Sequence, residues 1–350
     1  MHPAVEYRLI DTTEELTTFI PAWRKLWLRD PQASPFQSPE WLAPWWRQFG
    51  NEHLCCMVIH HEEPVGFLPF YVYEDVQKRE RKLLPLGVGT TDYLDGLFAP
   101  ECRTEEIDAA LTKLRSACPH DVLCVPQLAP ASRLLDAMNR EVRPGTFVSN
   151  AESCSRMPAV AMADLPQKIR RNAMYYRNRA HRCGALELVQ ADTSNWAEFF
   201  DDLKRLHTSR WNARGEEGVL RDDRAVRWHC EAMPQLLEAG LLRLMALRLE
   251  GETVAVLYSL IDNERRLERP RVQYFYITAY SPEHADLRPG TLLIAYAVEH
   301  AAQDGVATID MLRGDEGYKQ IWHMERVPTW CVTQFAGPLR AEAECAETAA

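Results

Sequence analysis

The stretch that most constrains how this 350-residue chain can fold is QYFYITAYSPEHADLRPGTLLIAYAVEHAAQDGVATIDMLRGDEGYKQIW, residues 273–322. From Gln273 to Tyr280 the pattern alternates, with Phe275, Ile277 and Ala279 on one face and Tyr274, Tyr276 and Tyr280 on the other. A period of two with aromatic enrichment predicts a strand. A turn-rich polar loop, SPEHADLRPG, follows, and its Pro289 suits the first turn of a helix. Thr291 to Gln303 reads as that helix, apolar almost all round as far as Val298 and therefore buried. Gly305 is placed to end it in a left-handed conformation. Val306 to Leu312 returns as a strand carrying Asp310, and a polar motif, RGDEGYK, comes next.

A strand feeding a buried helix through such a loop points free backbone N–H groups outward at the helix start, where the macrodipole also favours an anion. Arg288 adds a positive charge there. Two readings stay open on these features alone: a phosphate or pyrophosphate site, or an ordinary β-α-β crossover with a proline start.

The pairing of LRPGTLLIAYAVEHAAQDG with IDMLRGDEGYKQIW resembles the GNAT-type acyltransferase domain of the CelD and FemABX-related proteins. The family pattern is an aromatic strand, a loop ending in Pro-Gly, a helix, a strand ending in Asp, then Arg-Gly-Asp/Glu and Tyr-Lys with a following Trp. Its elements stand here at Pro289-Gly290, Asp310, Arg313-Gly314-Asp315-Glu316, Tyr318-Lys319 and Trp322. The likeness runs best from Leu165 to Trp330. One departure is plain: ordinary GNAT enzymes carry Gln/Arg-x-x-Gly-x-Gly/Ala at this helix start, whereas this chain has Arg288-Pro289-Gly290-Thr291. The pyrophosphate cradle is correspondingly thinner.

Length allows two domains of ordinary size. A hydrophobic content of 46% with 26% charged residues is that of a soluble globular protein. The net charge of −10 argues against general nucleic-acid binding, with tRNA left as the one candidate through a local basic patch. No apolar run approaches the roughly 20 residues of a membrane span, and the N-terminus lacks the apolar segment of a signal peptide, so a cytoplasmic protein is expected. Ten scattered cysteines without C-x-x-C suggest buried reduced thiols. No metal-site spacing of His or Cys occurs, and no metal is expected.

Further signals lie elsewhere in the chain. Phe36-Gln37-Ser38-Pro39-Glu40-Trp41 opens a tryptophan-rich helix, with Trp41 and Trp45 on one face. It reads as a packing knob or, with the family resemblance, an aromatic wall for a sugar or acyl chain. Asp92, Tyr93 and Asp95 follow two glycines on an extended run. They are either solvated turn carboxylates or a grip for an amine or sugar hydroxyl, and the resemblance to the family's Asp-Tyr-x-Asp element implies the latter, facing an interdomain cleft. The run LPQKIRRNAMYYRNRAHRC holds six Lys or Arg residues between Lys168 and Arg182 and no acid. It is a solvated basic helix or a surface for RNA or cofactor phosphates. Trp211, Arg214 and Gly215 match the family's Arg-Trp-x-x-Arg-Gly element, where a core tryptophan with a structural ion pair competes with an acceptor-binding role.

The implied architecture is a mixed α/β (α+β) fold of tandem GNAT-like acyl-CoA N-acyltransferase lobes sharing a cleft. Residues 1–150 would form a degenerate first lobe, 151–335 the acyltransferase lobe and 336–350 a tail. The resemblance implies an acyl-CoA such as acetyl-CoA as co-substrate, held by Arg288, Pro289, Gly290 and Thr291. Asp310 or Glu316 would act as base and Tyr318 as acid on the departing thiol. Asp92, Tyr93, Asp95, Trp211, Arg214, Arg313, Asp315 and Lys319 would line the acceptor side. The acceptor would be an amine of a small molecule or amino-sugar, in envelope or exopolysaccharide synthesis, and the protein a monomer or homodimer. RGDEGYK can equally be an internal ion-pair lattice. Two other functions stay open: an aminoacyl-tRNA-dependent transferase of FemABX type, and a non-catalytic accessory protein of a polysaccharide-synthesis complex.

Overall fold

The computed structural model describes residues 4–50, 53–140, 144–212, 215, 218–263, 269–314 and 317–337. In chain order the elements begin β1 (Glu6–Ile10), α1 (Thr13–Arg29), α2 (Pro39–Phe49), β2 (Leu54–His60), β3 (Pro64–Asp75), β4 (Glu80–Pro85) and β5 (Leu97–Phe98). They continue with α3 (Thr104–Ala117), β6 (Val122–Leu128), α4 (Arg133–Arg140), β7 (Thr146–Asn150), β8 (Cys154–Pro158), α5 (Gln167–Cys183) and β9 (Leu186–Gln190). Next come α6 (Trp196–Asn212), α7 (Asp223–Glu238), β10 (Leu242–Leu249), β11 (Glu252–Ile261), β12 (Val272–Tyr280) and α8 (Pro289–Gln303). The last are β13 (Thr308–Asp310), α9 (Gly317–Ile321), β14 (Glu325–Val327) and β15 (Trp330–Phe335).

These elements form two compact units, and membership is not contiguous in sequence. The first takes the described residues up to Gln32, from Gly50 to Ala151 and from Thr329 onward; the second takes Ala33–Phe49 and Glu152–Pro328. Two segments therefore lie apart from the sequence-contiguous division at 150/151. Helix α2 goes with the second unit because Phe36 and Trp41 pack their rings on Tyr274, Tyr276 and Trp228. Strand β15 goes with the first because its backbone pairs with β6 on one edge and β7 on the other. Residues 338–350 of the expected tail lie outside the described residues.

In the first unit the sheet runs β1-β2-β3-β4-β6-β15-β7, with β5 added on β3. All its pairings are antiparallel except β4–β6. Helix α1 covers part of it through Trp23, fully buried, whose ring meets Phe67 at 4.8 Å. Asp30 ends that helix and its carboxylate accepts the N–H groups of Gln32 and Phe98, both at 2.8 Å.

The second unit has the sheet β14-β8-β13-β12-β11-β10-β9. Its one parallel pairing is β12–β13, joined by α8 as a crossover. Helix α8 is buried along Leu292–Ala295, at Ala297 and Val298 and again at Ala301, as its apolar sequence requires. Its C-terminal end is tied down by Arg243, which bonds Gln273 on β12 at 3.0 Å and Asp304 at 2.5 Å.

Two local features of β12 depart from simple alternation. The register with β11 shifts between Tyr258 and Ser259: Tyr258 pairs with Ile277, Ser259 with Phe275, and Tyr276 is the extra, bulged residue. A bulge slips the side-chain phase by one. Phe275 and Tyr280 consequently pack together on the α8 side, while Tyr276 meets Tyr258 edge-on at 5.4 Å. The expected grouping of Ile277 with Phe275 fails for that reason. The strand after α8 is also shorter than Val306 to Leu312, because β13 pairs with β12 only from Thr308 to Asp310.

Candidate active site

The short β12–β13 pairing creates a wedge. After Tyr274↔Asp310 the chain follows β8 instead: the Met311 N–H donates to the Ser155 carbonyl at 2.8 Å, and the Ser155 N–H to the Leu312 carbonyl at 3.2 Å. Beyond Tyr274, the β12 edge that faced β13 has no strand partner among the described residues. A strand edge that no other strand covers is a pairing surface for an extended, amide-bearing ligand.

At its far end β12 runs into a 3-10 turn, Pro282–Leu287, and then into α8. Arg288, exposed and left-handed with φ 48°, directs the chain into the helix, and Pro289 follows as its first residue. Proline has no N–H, so the first turn offers those of Gly290 and Thr291. Gly290 has a packing reason as well: a Cβ there would lie 3.0 Å from Tyr280 Cδ1, tight against the β12 ring. The Tyr280 ring also carries the Arg210 guanidinium at 4.9 Å, while Arg210 Nη1 donates to the Thr278 carbonyl at 3.2 Å. Arg210 makes no ion pair among the described residues.

Asp310 stands at the point of the wedge, fully buried. Its Oδ2 accepts from Arg156 Nε at 2.7 Å and its Oδ1 from the Leu312 N–H at 2.8 Å. Both carboxylate oxygens are thus engaged, one by a guanidinium and one by a backbone amide. Lys319 is likewise buried, and its Nζ donates to the carbonyls of Leu312, Arg313 and Gly314 at 3.3, 2.6 and 3.3 Å. An ammonium has three donors. The bonds from Lys319 to three loop carbonyls anchor the loop leaving β13. Leu312 itself is left-handed, φ 58°, a strained state for a side-chain-bearing residue that the two ties hold in place.

Arg313 is half-buried on this loop. Asp315 and Glu316, the side chain of Tyr318, and Arg214 lie outside the described residues. Trp211 is half-buried at the end of α6, its ring 5.8 Å from that of His207; Gly218 fits against both, where a Cβ would collide. His207 is buried and driven down to about 4 by desolvation, with Arg210 adding to the effect, so it is neutral. Asp92, Tyr93 and Asp95 belong to the first unit. Asp92 and Tyr93 are buried, and Tyr93 is left-handed with φ 53°. Burial raises the Asp95 carboxyl to about 7, against the opposing pull of a Ser132 hydrogen bond and the nearby Arg133.

Sequence reasoning missed Arg156, Arg210 and the buried aromatic group on the bulge side of the second unit. There Trp41 and Trp228 meet at 4.5 Å, Trp228 Nε1 donates to the Trp41 carbonyl, and Tyr276 packs on Trp41, Tyr258 and His229. Trp41, Trp45 and Trp46 are all buried, which decides for the packing knob over the aromatic wall. His229 is driven down to about 3 by burial alone and remains neutral, with Tyr258 Oη 3.4 Å from its Nδ1. Arg210 had a signal, as the first arginine of the Arg-Trp-x-x-Arg-Gly element; Arg156 had none.

Residues 167–320 match the family model described as an acetyltransferase (GNAT) domain. This segment, under half of the chain, has a GNAT fold. The wedge between β12 and β13 and the start of α8 both fall inside the matched GNAT segment. The enzyme class follows: the chain is an acyltransferase. A search of curated protein sequences returns no match. Among solved structures the chain is similar to FemX, with TM-score 0.63 and 10% identity, covering 93% of this chain and 96% of that one. L-PGS from Bacillus licheniformis gives TM-score 0.58 and 12% identity, covering 94% of each. A tandem GNAT protein from the clavulanic acid biosynthesis pathway gives 0.50 and 15%, covering 96% and 100%. At these identities the likeness is one of fold, a mixed α/β fold with two mixed sheets in the tandem GNAT class.

Proposed function

We propose that the chain moves an acyl group from a phosphate-bearing donor, an acyl-CoA such as acetyl-CoA, to the amine of a small molecule or amino-sugar. The observation that carries this reading is the wedge after Tyr274↔Asp310, opening beside the start of α8 in one unit. The β12 edge beyond its pairing with β13 suits the amide groups of a pantetheine arm, and the Gly290 and Thr291 N–H groups with Arg288 suit the phosphates.

In the reaction a neutral amine attacks the thioester carbonyl and its proton must leave. Backbone N–H groups on the open β12 edge would stabilise the developing oxyanion. Asp310 and Lys319 fix the loop that would carry the acid and base. With Asp310 engaged by Arg156, Glu316 is the proposed base and Tyr318 the proposed acid on the thiol. Arg313 and Asp315, together with Trp211 and Arg214, are the proposed acceptor contacts in the GNAT domain. A place in envelope or exopolysaccharide synthesis, as for CelD-like proteins, belongs to the same proposal.

A second reading is aminoacyl transfer from a charged tRNA. The fold likeness to FemX and L-PGS supports it, as does α5, which exposes Lys168, Arg171 and Arg182 around Met174 and Tyr175. Titration calorimetry with CoA, acetyl-CoA, longer acyl-CoAs and a charged tRNA separates the two. Saturable CoA binding with no tRNA binding supports the first reading, and the reverse result replaces it with the second.

A further inference from the structure

The first unit carries a thiol pair that acyl transfer does not use. Cys124 on β6 and Cys331 on β15 place their sulfurs 3.9 Å apart, and both residues are half-exposed. They lie on adjacent antiparallel strands, beside a register shift between Trp330 and Val332 that leaves the backbone locally irregular. The Thr333 hydroxyl stands 3.9 Å from each sulfur and can donate to Cys124. Lys82 of β4 adds a positive charge near Cys124, itself paired with Asp75 and Glu80.

Other thiols supply the contrast. Cys55 and Cys118 also interact, but both are buried, out of reach of a solution oxidant. Cys183 and Cys230 are exposed and lie on separate helices, α5 and α7. Among the described residues, only Cys124 and Cys331 combine a recorded sulfur–sulfur contact with partial exposure of both partners.

We propose that Cys331 and Cys124 are a redox-modification site, at which a low-molecular-weight disulfide of the glutathione class is exchanged for an internal disulfide joining β15 to β6. The Cys331 thiolate attacks one sulfur of the small disulfide, forming a mixed disulfide and releasing one small thiolate. Cys124, losing its proton to solvent, then attacks the Cys331 sulfur and expels the second small thiol. Two protein thiols are oxidised to one disulfide and one small disulfide is reduced to two thiols. The order follows from the geometry: the Cys124 S–H points its proton toward the Cys331 sulfur and so lowers the Cys331 thiol, while the same contact raises that of Cys124. The partners are 207 residues apart in sequence, so the bond closes a loop around the whole GNAT domain. It would also fasten the C-terminal strand to the sheet of the first unit.

The test uses the full chain in glutathione buffers of increasing oxidised-to-reduced ratio, quenched with acid and mapped as non-reduced peptides. A Cys124–Cys331 linked peptide, removed by dithiothreitol, is expected, while Cys183 and Cys230 carry glutathione. In Cys124→Ser, glutathione should accumulate on Cys331 at roughly ten times its wild-type level, because no resolving thiol is present. The proposal is overturned if Cys183 and Cys230 become fully glutathionylated while Cys124 and Cys331 stay reduced or carry separate adducts.

Discussion

Replacing Thr291 with glutamate tests the donor site without disturbing the fold. Thr291 is the third residue of α8, half-buried, in the turn where an anion would bind. A carboxylate there complements the helix dipole and should stabilise the unliganded protein by about 0.3–1 kcal/mol. The same charge opposes the donor's phosphates. At about 6 Å and an effective dielectric constant of about 20, each pair of unit charges repels by roughly 3 kcal/mol, or about a hundredfold in affinity. Salt screening at a half-exposed site reduces this to at least about tenfold. The assay is calorimetric titration with CoA and acetyl-CoA at 0.15 M salt, alongside thermal unfolding of the unliganded protein, with Thr291→Gln as the neutral control. Wild-type-like binding by Thr291→Glu would refute the placement of donor phosphates at α8. The more obvious Gly290 substitutions are less clean, since any side chain there also presses on Tyr280.

Further predictions rest on the same geometry. Asp310→Asn should cost about 1.5–3 kcal/mol in thermal or denaturant unfolding, because the charge-assisted bond from the partly exposed Arg156 is lost; a loss under 1 kcal/mol would mean that the pair does not hold the loop. Lys319→Met should lower kcat with little change in KM for either substrate, since three loop carbonyls lose their common donor; a rise in acceptor KM alone would restore Lys319 as an acceptor ligand. Arg288→Gln should weaken donor binding about tenfold while Arg288→Lys recovers part of it; unchanged titrations would remove Arg288 from the donor site. Asp95 has its folded-state carboxyl raised to about 7 by burial, so its neutral form is favoured by folding. Stability attached to it is complete below about pH 4 and is lost as pH rises through about 7. Unfolding of Asp95→Asn should therefore show a flatter stability profile than wild type across that window.

Asp310 and Lys319 divide one task. The carboxylate holds the Leu312 N–H from the sheet side and the ammonium gathers the three following carbonyls from the helix side. The loop leaving β13 is thus fixed at both faces, as the proposed acid and base on it would require for reproducible geometry. The Lys319 charge serves the backbone of this loop, through three carbonyls.

What the sequence by itself determined was local. Pro289 at a helix start, the apolar run through Val298, Gly305 beyond the helix and the aromatic strand before it were legible because each depends on neighbours within a few residues. Asp310 at a strand end was legible for the same reason. Only the tertiary structure decided what Asp310 touches, since Arg156 lies 154 residues away on β8 with no pattern linking the two. It alone decided the phase slip at Tyr276, which depends on the partner strand β11. It alone assigned α2 to the GNAT-bearing unit and β15 to the other, through ring packing and strand pairing across long separations. Local conformation follows from covalent neighbours and their side-chain pattern; register, partners and unit membership follow from which distant surfaces fit, and that information is distributed over the whole chain.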